Sequence, residues 1–151
     1  MIEIEHKEMR MPSLTKIRGL ESENIKKLTK IGIKTTAQLL KQGLTSESRR
    51  SLADILGVQP SVILRWVKYS AFFQIEGITP EYVELLNAAG ITSPQALSVY
   101  SARELEAILE RIIEERGNGI KPPTYEKISM WISHSKKLRS EIWYDGMFCY
   151  D

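Results

Sequence analysis

Apolar residues along the chain recur mostly at helical spacing, in short runs separated by glycine and proline. The clearest stripe is Leu105, Ile108, Leu109, Ile112 and Ile113, which predicts a helix with one buried face. "SARE" (Ser101–Glu104), just ahead of it, carries the serine and glutamate of a capping box and marks where that helix begins. Thr79-Pro80, Ser93-Pro94 and Gln59-Pro60 put proline at a first helical position, where its missing N–H is no loss. Gly32 and Gly90 stand where a left-handed residue ends a helix. Between residues 12 and 139 no segment alternates as a half-buried strand does, so the body is predicted to be all-α.

The two ends follow a different pattern. "MIEIEH" alternates apolar and polar residues, and "EIWYDGMFCY" flanks Asp145-Gly146 with apolar and aromatic ones, the spacing of a two-residue hairpin. Two arrangements fit these ends: a small β-hairpin or sheet built from the termini, or an aromatic tail docked on the body or on a partner.

The apolar pattern also repeats. "IRGLESENIKKLTKIGIKTTAQL" (Ile17–Leu39) and "IEGITPEYVELLNAAGITSPQAL" (Ile75–Leu97) agree at seven of 23 positions at a constant offset of 58, Gly19/Gly77, Leu28/Leu86 and Gly32/Gly90 among them. "ILRWVKYS" (Ile63–Ser70) then matches "ISMWISHS" (Ile128–Ser135) at an offset of 65, pairing Trp66 with Trp131. The change from 58 to 65 is a net insertion of seven residues, placed by its glycines and prolines within "ERGNGIKPPT" (Glu115–Thr124). The expected organisation is an extended segment (1–11), a first repeat (12–70), a second repeat (71–139) and an aromatic tail (140–151). Each repeat holds about four to five short helices.

Charge separates what the apolar pattern makes alike. Residues 1–70 hold 13 Lys and Arg against 7 Asp and Glu, whereas residues 71–151 hold 8 against 12. A basic first repeat and an acidic second one suit two different faces, or two faces that complement each other. Arg18 corresponds to Glu76 and Lys26 to Glu84, so the reversal is concentrated around the repeated glycine turn.

The motif apolar-x-Gly-apolar, then a helix, then Gly-Ile occurs as "IRGL…LTKIGI" and again as "IEGI…LNAAGI". It resembles the helix-hairpin-helix motif, and residues 12–135 resemble a tandem helix-hairpin-helix family of unknown function. The resemblance implies a hairpin that grips a nucleic-acid phosphate without reading bases, through N–H groups at the start of the second helix. Arg18, Gly19, Leu20, Lys26, Lys27, Lys30 and Lys34 are the candidate residues for sequence-independent contact with a DNA or RNA backbone. Helical spacing puts Lys26 and Lys30 on one face with Lys27 adjacent, although a solubilising lysine face would contain the same residues. DNA-binding hairpins of this kind usually have a second glycine two positions after the first. Glu21 and Thr79 stand there instead. Glu21 satisfies the helix dipole and repels phosphate at the first hairpin, whereas Thr79 is placed to cap the second. With Glu76, Glu81 and Glu84 added around the same turn, the second hairpin is expected to be a poor phosphate ligand.

One stretch suggests a different chemistry. "SLADILGVQPSVILRWV" (Ser51–Val67) has the alanine, glycine and apolar frame of a helix-turn-helix, whose second helix reads bases. Its second-repeat counterpart, about Arg103 to Ile132, keeps the frame but replaces the tight turn with the Gly/Pro loop. Val62, Ile63, Leu64, Trp66 and Val67 leave a narrow polar face of Ser61, Arg65 and Lys68. A core-facing helix pair is the expectation.

The remaining residues point to a binding module and not an enzyme. Two histidines and one cysteine form no zinc spacing, no phosphate loop or dinucleotide fingerprint occurs, and no cofactor or small-molecule substrate is implied. The glutamates between 104 and 115 lie on the polar face of an amphipathic helix, and Cys149 is read as a packing residue. Neither a long apolar run nor a signal-like start is present, so a cytoplasmic protein without membrane contact is expected. Trp66 and Trp131 are expected in the repeat cores. Trp143, Tyr144, Phe148 and Tyr150 have no duplicates and are candidates for a partner contact. The rival function is therefore a protein-interaction or assembly adaptor that has lost phosphate binding, with self-association through the oppositely charged repeats as one form of it.

Overall fold

The computed structural model describes residues 12–117, 119–138 and 142. These form a 3-10 turn (Leu14–Lys16) and eight α-helices. The helices are α1 (Ser22–Lys30), α2 (Thr36–Gln42), α3 (Ser46–Leu56), α4 (Pro60–Phe72), α5 (Pro80–Ala88), α6 (Pro94–Leu97), α7 (Ala102–Arg116) and α8 (Tyr125–Lys137). The body is all-α, as the periodicity predicts. Extended pairing among the described residues is confined to an isolated antiparallel bridge between Ser13 and Thr35. The expected terminal sheet or tail (1–11 and 140–151) lies outside the described residues except for Ile142, which is buried.

The chain divides after Gln74, with Ile142 belonging to the first unit. The division falls four residues beyond the expected boundary. α4 runs through Phe72, and the N–H groups of Phe73 and Gln74 continue its last turn onto the Ser70 and Ala71 carbonyls.

In the first unit, the N–H of Leu20 donates to the Ile17 carbonyl at 3.3 Å across a turn in which Gly19 has φ +89°. A third turn residue with positive φ is the type II arrangement, which favours glycine. α1 follows and ends at Gly32 (φ +91°), where the Ile33 N–H donates back to the Leu28 carbonyl at 2.9 Å. This six-to-one bond is a Schellman closure, and it turns Ile33 into the core. α2 starts with a full capping box from Thr35 and Gln38. At its end a Cβ on Gly43 would overlap a Val67 methyl, so glycine there lets α2 lie close against α4. Arg49 is buried at 3% exposure, and its Nη1 donates to the Gly43 and Leu44 carbonyls at 2.8 and 3.0 Å. Those carbonyls lie just past the end of α2, where the helix has no partners of its own to offer.

α3 ends at left-handed Gly57, and α4 packs on both α2 and α3. Ala53, Ile63, Trp66 and Val67, the residues of the repressor-like frame, are all buried at 3% exposure or less. α4 leaves Ser61 and Arg65 exposed. The frame is therefore occupied by packing.

The second unit repeats this local geometry. Ile78 N–H donates to the Ile75 carbonyl at 3.3 Å around Gly77 (φ +88°), and Ile91 N–H donates to the Leu86 carbonyl at 2.9 Å past Gly90 (φ +82°). Thr79, Ser93, Ser101 and Thr124 cap α5 to α8 in turn. The expected insertion contributes to more than a loop. α7 has 15 residues where α3 has 11, because Glu114, Glu115 and Arg116 sustain the helix until Gly117 ends it in the left-handed conformation.

Candidate functional site

The Gly19 turn presents exposed Arg18 and Gly19 and tucks Leu20 into the core at 7% exposure. Leu20 thus anchors the turn and leaves the contacts to its neighbours. α1 begins two residues later. Its N-cap, Glu21, makes no side-chain cap hydrogen bond, so the side chain satisfies none of the N–H groups that a helix start leaves over. Lys26 and Lys30 are exposed one helical turn apart, and Lys34 is exposed beyond the helix end.

Lys27 has a different placement from the other cations. It is half-buried, and its Nζ donates to the Leu56 carbonyl at 3.5 Å, at the C-terminal end of α3. Its equivalent in the second unit is Leu85, which is 1% exposed, so the position faces inward and the lysine lays its stem along the core. Lys27 and Lys30 also occupy the last turn of α1, where the carbonyl end of the helix favours cations.

Arg65, read from the sequence only as part of a narrow polar face, joins the hairpin in space. Its Nη2 lies 3.9 Å from the position a Cβ on Gly19 would take. Arg65 is exposed and has no hydrogen bond or ion pair among the described residues. A sequence signal for it existed: within the matched "ILRWVKYS" and "ISMWISHS", Arg65 corresponds to Met130.

The Gly77 turn carries different groups. Thr79 Oγ1 accepts from the Tyr82 N–H at 3.4 Å, and Pro80 has no N–H to offer, so the start of α5 is largely satisfied. Glu76 and Glu81 are exposed beside it, with Glu84 half-buried. The open side of Gly77 faces Trp131, whose Nε1 is 3.6 Å from the Cβ position. Trp131 packs against Tyr82 with ring centroids 5.0 Å apart, and Lys127 Nζ lies 5.5 Å from the Tyr82 ring centre. Both repeat tryptophans are core residues, at 2% and 1% exposure for Trp66 and Trp131.

Other sites are modest. An open pocket of about 380 Å³ lies at the far end of α1, lined by Ile31, Gly32, Gln38 and Lys41 among others. A second of about 250 Å³ gathers Tyr100, Ser101, Ser129, Ser133 and Lys136. Among the described residues, no three His, Cys, Asp or Glu side chains are grouped to hold a metal ion. No described helix is long and apolar enough to cross a membrane. Trp143, Tyr144, Phe148 and Tyr150 lie outside the described residues.

No curated protein and no solved structure matches the chain. The domain of unknown function DUF4332 matches residues 18–138, from the arginine of the first glycine turn to the residue that closes α8. With most of its length inside that match, the chain belongs to the DUF4332 family.

Proposed function

We propose that this protein is a non-enzymatic binding module of the tandem helix-hairpin-helix type, whose first hairpin holds a nucleic-acid backbone independently of sequence. The observation that carries this reading is the contrast between two turns of the same geometry. One leads into a helix start left uncapped by its side chain, with Arg18 exposed in the turn, Glu21 and Glu23 at the start, Lys26 exposed one turn into the helix, and Lys30 and Lys34 exposed at and beyond its far end. The other leads into a helix capped by Thr79, begun by proline and ringed with glutamates. A phosphate is attracted to the first by cations and helix dipole and is repelled by the second.

Contacts of this kind release counterions, so affinity should fall with salt by about 0.9 logarithmic units per phosphate neutralised on a duplex. Fluorescence anisotropy with short duplex and single-stranded oligonucleotides over a salt series measures that slope. The expected duplex slope is about −3 to −5, and Lys26→Glu combined with Lys30→Glu should reduce it by about two and weaken binding at least tenfold. Absence of binding at low salt would overturn the reading.

The adaptor reading has its own support in the second unit. Met130 and Val99 are 65% and 79% exposed, and the adjacent hairpin is acidic. A protein partner with a basic, apolar surface fits that chemistry, and a second copy of the first repeat is one such surface. Light scattering that reports a monomer at low salt and high concentration would exclude the self-associating form.

A further inference from the structure

We propose that Arg65, from α4, is the anchoring phosphate ligand of the Gly19 turn and sets where a nucleic-acid backbone crosses it. The inference rests on the backbone-binding reading and adds to it a residue 46 positions away from the turn in sequence. Apart from Gly19's two chain neighbours, Arg65 Nη2 is the one group among the described residues within 4 Å of the position a Cβ on Gly19 would take, at 3.9 Å. A phosphate placed against the bare backbone of this turn would therefore meet the guanidinium directly. Among the described residues no carboxylate pairs with Arg65, and its side chain is exposed.

The point on α4 from which the arginine projects is fixed from below. Ile63, Trp66 and Val67, on the opposite side of α4, are 0%, 2% and 0% exposed, which fixes the helix and the point from which Arg65 projects. A ligand group on a rigid helix loses less freedom on binding than one on a mobile loop. The second unit supplies the internal control. Where the turn is acidic, the equivalent residue is Met130, and the vacant side of Gly77 faces the indole of Trp131. The guanidinium goes with the cationic hairpin. Arginine also differs from lysine here, because its planar fork can meet two oxygens of one phosphate at once.

The role given to α4 is thus a single backbone contact made by a helix whose frame resembles that of a base-reading helix. The test compares the full-length wild type with Arg65→Met, Arg65→Lys and the Lys26→Glu/Lys30→Glu pair, using a duplex oligonucleotide over the salt series. Arg65→Met should weaken binding about tenfold or more and lower the salt slope by about one, with an unchanged melting temperature because the side chain is exposed. Arg65→Lys should restore the slope but not the full affinity. If Arg65→Met itself lowers the melting temperature, Arg65→Gln repeats the measurement with a polar replacement. Wild-type binding that the methionine and glutamine variants leave intact, while the lysine pair abolishes it, overturns the assignment and spares the reading beneath it. Lysine equal to arginine in affinity overturns the claim of forked recognition. A wild type that does not bind at low salt overturns the reading itself, and the assignment with it.

Discussion

The Gly19 and Gly77 turns share a backbone geometry and an exposed glutamate in the helix that follows, Glu23 and Glu81, but differ in the cations that face outward. Inward positions match in kind and in burial: Ile17/Ile75, Leu20/Ile78, Leu28/Leu86, Ile33/Ile91, Leu39/Leu97 and Trp66/Trp131 are all 7% exposed or less. Outward, Lys16, Arg18, Lys26, Lys30, Lys34 and Arg65 correspond to Gln74, Glu76, Glu84, Ala88, Thr92 and Met130. Six cations in one unit thus correspond in sequence to two carboxylates and four neutral residues in the other. Turn geometry and core volume constrain the inward set, because a close-packed interior tolerates little change. The outward set escapes that constraint and can carry different chemistry on the same frame.

The comparison can be tested first at the core, where the largest effect is expected. Leu28 and Leu86 are both fully buried, so Leu28→Ala and Leu86→Ala should each cost about 2–5 kcal/mol in denaturant unfolding. Costs that differ by more than about 2 kcal/mol would mean that the two interiors are not equivalent. A smaller effect separates the helix starts. Thr79→Ala should cost about 1 kcal/mol, whereas Glu21→Ala should leave stability nearly unchanged, since only Thr79 makes a cap bond. The smallest effect concerns Lys27. Its ammonium is engaged with the Leu56 carbonyl, so Lys27→Leu, which installs the residue type of the second unit, should leave the salt slope of oligonucleotide binding intact. Lys26→Leu should lower that slope by about one.

The sequence discloses features that act over a few residues. The caps at Thr79, Ser93 and Ser101, the left-handed ends at Gly32 and Gly90 and the all-α body are each visible in residue type and spacing. The end of the first unit is less visible, because Tyr69 to Phe73 carry no glycine or proline to stop α4 before Gln74. The seven-residue insertion is visible as a sum, but not the share taken up by the longer α7. Glutamate and arginine favour helix, and here they extend one until Gly117.

Lysine spacing alone treats Lys26, Lys27 and Lys30 as one group, and only the packing of α1 near the end of α3 separates Lys27 from it. In the same way, the sequence places Arg65 beside tryptophan in a helix, whereas the fold brings its guanidinium to a turn 46 residues earlier. By itself the sequence determined the all-α body, helix ends such as those at Thr79, Ser101, Gly32 and Gly90, the match between the two segments and the sign of charge on each, because periodicity, capping and composition are local. The tertiary structure decided which cations stand around the Gly19 turn and which one is turned toward its own fold. Contacts between distant segments depend on how α4 packs against α2 and α3, and no local rule contains that packing.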